Sequence, residues 1–156
     1  MEALLNRASS GAPGFLQNPT LAPLLPEANG RSSIWSVMDQ RFAAIEIRGI
    51  AADAAGRPEA QTLLNNLRAA VARATLGSDL TATASFLCND ANQAALLAAV
   101  AQAGFALYAT AESNQNPDMA AALHAAVVQQ QGERVQLDLS LTQSQVGLLL
   151  AHSVSK

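Results

Sequence analysis

The chain has 156 residues, half of them hydrophobic but only 4% aromatic, with 13% charged and a formal net charge of −3. That length suits one domain able to bury a core without covalent staples, and with so few aromatics Ala, Leu and Val must build it. Eight Arg and one Lys, no denser along a helix than Arg68 and Arg73, argue against a nucleic-acid surface, which needs clustered cations.

Residues 1–30 read as an N-terminal helical and connective segment and 31–156 as a single α+β domain. A short apolar helix over 3–8 runs into the break Ser9-Ser10-Gly11-Ala12-Pro13-Gly14. Asn18-Pro19 offers a cap followed by proline at the first helical position, predicting a short helix over 21–25 that Pro23 and Pro26 keep brief. Ser33 to Asp39 is rich in strand formers and predicts a strand. Over 44–51, Ile45 and Ile47 alternate with Glu46 and Arg48, the period of a half-buried strand. Helical spacing from Arg41 to Ile45 is the rival reading there.

Gly56-Arg57-Pro58-Glu59 opens a predicted helix over 58–76, striped by Leu63, Leu64, Leu67, Ala70, Val71 and Ala74 and stopped by Gly77. Leu80 to Cys88 is the clearest strand, with Ala82, Ala84, Phe86 and Cys88 on one face and Thr81, Thr83 and Ser85 on the other. Asp90, with Gln93 three residues on, caps a helix over 91–111, and Asn116-Pro117 starts another over 117–131, closed by Gly132. Arg134 to Leu141 is the last strand, and Thr142 with Gln145 caps a final helix carrying Val146, Leu149 and Leu150. Strands with one polar and one apolar face imply a largely antiparallel sheet of about four strands, with helices packed on one face.

The succession Ser33-Ile34-Trp35-Ser36-Val37-Met38-Asp39, then Leu80 to Cys88 running into Asn89-Asp90-Ala91-Asn92-Gln93-Ala94-Ala95-Leu96-Leu97, then a proline-started helix and the strand Val135 to Leu141, resembles uncharacterised α+β proteins of GC-rich soil bacteria. In those proteins similar units occur in longer, often exported chains. The resemblance covers residues 30–150 and implies a domain of unknown function, with no activity and no functional residue to carry over.

No catalytic, cofactor-binding or metal-ligating residue is assigned from sequence. Cys88, the one cysteine, excludes an internal disulfide. It lies before a helix N-terminus, where thiols can be activated, but its alternation with Phe86 predicts a buried, inert thiol. His124 has Ala120, Ala121, Val127 and Val128 as helical neighbours, none a ligand or an orienting group, and His152 is expected to interact with the end of the last helix. Ser153 and Lys156 match Ser-x-x-Lys spacing without its companion motifs. Asp39, Glu46, Asp53, Asp79, Asp90 and Asp138 fall at strand ends, caps and solvent faces, and Ser9 to Gly14 lacks the Lys of a phosphate loop. Trp35, isolated from other aromatics, reads as core.

The expected function is a non-catalytic protein-interaction or self-association module with no cofactor. Charged residues are about half their usual share, and the chain opens on the apolar Ala3-Leu4-Leu5. Surplus apolar area is therefore expected against a second copy or a further domain, at the helix 91–111 through Ala98, Ala101 and Gly104. A small-molecule or lipid-binding domain, with its pocket between sheet and helices, is the alternative. No signal peptide and no uninterrupted apolar run of membrane length is read, so no membrane span and a cytoplasmic location are expected, or export if the chain is a fragment of a longer secreted protein.

Overall fold

A computed structural model describes residues 14–30, 32–50 and 58–147. The predicted helix over 3–8, the turn at Ser9 to Pro13, Asp53, His152, Ser153 and Lys156 lie outside them. Two 3-10 turns (Phe15–Gln17 and Ala22–Leu24) lead into α1 (Leu25–Ala28), then β1 (Ile34–Asp39), α2 (Gln40–Ile50) and α3 (Pro58–Asn65). Next come β2 (Leu67–Leu76), β3 (Asp79–Cys88), α4 (Ala91–Glu112), α5 (Pro117–His124), β4 (Val127–Gln131) and β5 (Arg134–Thr142), followed by a helical turn at 143–147. The fold is α+β, with one five-stranded antiparallel sheet in the order β1-β2-β3-β5-β4.

Three sequence expectations change. The strand predicted over 44–51 is not formed by 44–50, and Ala51 lies outside the described residues: Gln40–Ile50 is helix α2, capped by Asp39, whose Oδ1 accepts from the Phe42 N–H at 2.9 Å. Ala43, Ala44 and Ile47 turn into the core at helical spacing while Ile45 stays outside. The predicted helix 58–76 ends at Asn65, and 67–76 is strand β2, pairing with β1 and β3. The predicted helix 117–131 ends at His124, and 127–131 is strand β4. Gly77 and Gly132 therefore sit in hairpin turns rather than at helix ends, Gly77 in the three-residue loop between the paired Leu76 and Leu80 and Gly132 in the two-residue loop between the paired Gln131 and Arg134. Gly132, at φ 57°, takes the left-handed conformation such a turn requires.

The register arranges the core in rows. Met38, Ala70, Phe86 and Val135 lie side by side across four strands, on the face that α2, α3 and α4 cover with Ala43, Ala44, Leu64, Ala94 and Ala98. A bulge at Arg68 puts Leu67 on this face together with Ala70, three positions on, and turns the Arg68 guanidinium outward to the Cys88 carbonyl and to Glu133. α5 and Val146 pack farther along the same face against Leu80, Leu139 and Leu141.

The opposite face is not wholly bare. Leu21, Leu24 and Ala28 of the N-terminal segment bury against Val37, Ala69, Val71 and Leu87. Asn18 caps this segment as its sequence predicts, accepting from the Thr20 and Leu21 N–H groups. Arg134 clamps it by reaching Glu27 at 2.5 Å and Ser85 at 3.0 Å, and Arg73 donates to the Glu27 carbonyl. The reciprocal cap predicted at Thr142 also forms: its N–H donates to Gln145 Oε1 at 2.7 Å, and the Gln145 N–H donates back to the Thr142 hydroxyl.

Two glycine substitutions should shift stability in opposite directions. Gly132→Ala places a Cβ in the left-handed region and should cost about 1 kcal/mol. Gly104→Ala, mid-helix with open space around its Cβ position, should gain about 1 kcal/mol. Leu64→Ala, which empties a site only 5% exposed, should cost about 2–5 kcal/mol. Urea unfolding of the three variants checks all three signs.

Candidate functional site: the outer face of α4 and the groove beside it

α4 is built to be long. Asp90, in extended conformation, accepts from the Gln93 N–H at 2.9 Å and so satisfies a free donor of the first turn. The Gln93 side chain does not complete the reciprocal half of the cap; its Oε1 is buried without a partner. At the other end the Asn116 N–H and side-chain amide both bond back to Glu112, and Pro117 begins α5. Between Asp90 and Glu112 there is no charged residue.

One face of α4 meets the sheet and α5 through small side chains: Ala94, Ala98 and Ala109 are buried, with Leu97, Ala101 and Phe105 half-buried. At 100° per residue the opposite face carries Leu96, Val100, Ala103 and Leu107. These are exposed, Leu96 at 49%, Val100 at 47% and Leu107 at 73%, with Tyr108 at 63% alongside. By length and composition α4 is able to cross a membrane, with mean hydropathy 1.6 over its most apolar stretch, 17% of which is buried. A helix apolar all round has one face too many for a sheet that covers only one.

The contact expected at Ala98, Ala101 and Gly104 is thus displaced. Ala98 belongs to the core, Ala101 is half-buried and Gly104 alone of the three faces outward. An uncharged run gives no polar side by which sequence could tell inside from outside, so small residues drew the contact to what is the buried face.

α4 leaves part of the sheet open. The rows Ser36–Ala72–Ala84–Leu137 and Ile34–Ala74–Ala82–Leu139 run beneath Phe105 as the floor of an apolar groove of about 340 Å³. Four alanines in that floor leave the depression. Trp35, expected in the core, is instead 42% exposed on edge strand β1 and lines the groove's rim. The opposite face has a polar depression of about 440 Å³ over Arg73, Thr75, Thr81 and Thr83, but the Arg73 guanidinium is already engaged by the Glu27 carbonyl at 3.3 Å.

The titratable candidates do not converge. His124 is exposed at the last position of α5. Asp138 accepts from Thr83 and Gln136, Asp39 and Asp90 cap helices, and Glu46 and Asp79 are exposed. Among the described residues no three His, Cys, Asp or Glu side chains group to hold a metal ion.

Cys88 ends β3 at 1% exposure, packed with Leu67, Ala70 and Val135. Burial pushes its thiol above the ordinary value, partly offset by the charge of Arg68. A raised pKa keeps the thiol protonated at neutral pH, so a thiol-specific reagent should label native protein far more slowly than urea-unfolded protein. Equal rates in the two states overturn this reading. Comparison of the chain with protein-family models, with curated proteins and with solved structures found no match.

Proposed function

We propose that the chain is a non-catalytic protein-interaction module that self-associates through the outer face of α4. One observation carries the reading: Leu96, Val100 and Leu107 form a continuous exposed apolar stripe on a helix with no charged residue before its last position, Glu112. Soluble surfaces disperse their apolar residues, and contiguous patches mark contacts. Burying the exposed part of each such side chain is worth on the order of 1 kcal/mol at about 25 cal/mol per Å², and a two-fold axis doubles every contribution. The flat, small-residue surround of Ala99, Ala103 and Gly104 suits a second helix.

Light scattering after size exclusion at micromolar concentration should give about twice the 16.1 kDa chain mass. Leu96→Glu with Leu107→Glu, both on the solvent side, should return the monomer with an unchanged circular dichroism spectrum. A wild-type monomer overturns the proposal, and so does a double variant that still dimerises. If wild type is monomeric and floats with lipid vesicles while the double variant does not, α4 meets a bilayer instead of a second copy.

The groove supports a second reading, a binder of small apolar ligands. Its volume lies near the lower bound of about 300 Å³ for ligand pockets, although no polar groups converge in it to fix a ligand's orientation. Trp35, the sole tryptophan, borders it. Saturable change in its fluorescence with a medium-chain fatty acid, abolished by Ala74→Phe or by Ala82→Phe, is the expected outcome of that reading. A flat titration ends it.

A further inference from the structure

We draw no further inference here: the strongest candidate, the open edge of β1 beside the alanine-floored groove, is an unpartnered surface among the described residues, and nothing in the structure shows what covers it.

Discussion

Everything in this fold depends on how closely helices approach the sheet, and alanine sets that distance. Ten of the twenty buried apolar residues among those described are alanines, including Ala43 and Ala44 of α2, Ala70 of β2, and Ala94 and Ala98 of α4. Such a core is thin. Each alanine loses no side-chain entropy on folding but also removes little apolar area from water. Only Val135 and Cys88 are larger side chains with essentially no exposure. The clamps at the periphery matter correspondingly more, above all Arg134, which ties Glu27 of the N-terminal segment to Ser85 of β3 across the polar face.

Filling the inside with small residues puts the large ones elsewhere. Leu16, Ile34, Phe42, Ile45, Leu76, Leu96, Val100, Leu107 and Tyr108 are, among the described residues, all about half exposed or more. They are not scattered evenly, since four of these nine belong to α4 and three of those to a single stripe. This separates α4 from α2, where Arg41, Glu46 and Arg48 share the exposed surface with Phe42 and Ile45. The same helix that supplies alanines to the core therefore supplies leucines and a valine to the outside, and the proposed self-association follows from that division.

Sequence reading recovered the α+β class, β1, β3, β5, α4 and the caps at Asn18, Asp90 and Thr142, all places where period and end signals agree. It failed where alanine and glutamine supply the strand. In β2 the run Leu67-Arg68-Ala69-Ala70-Val71-Ala72-Arg73-Ala74 favours helix by propensity, and pairing on both sides overrides it. The bulge at Arg68 further hides the alternation, since Leu67 and Ala70 share a face only through it. β4, with Gln129 to Gln131, has neither stripe nor alternation of its own, and the hairpin with β5 makes it a strand. In α2 a short accidental alternation, Ile45-Glu46-Ile47-Arg48, masked the helical set Ala43, Ala44 and Ile47. The outer stripe of α4 was illegible as a site for a different reason: with both faces apolar, only the position of the sheet decides which one is free.

The strand order also governs how the chain is assembled in time. β2 with β3, and β4 with β5, are hairpins closed by three and two residues respectively, and local closure of this kind takes roughly 1–10 μs in isolation. The seam between β3 and β5 is different, joining residues as remote as Asp79 and Thr142 across the whole of α4 and α5. Loop-closure entropy must be met before that seam returns any contact energy. Until it closes, the β3 backbone edge is unpaired and α4 lacks the part of its support that β4 and β5 supply. The crossover is therefore the strand pairing of this sheet with the longest loop to close, and α4 and α5 are the helices that shorten the distance it must span.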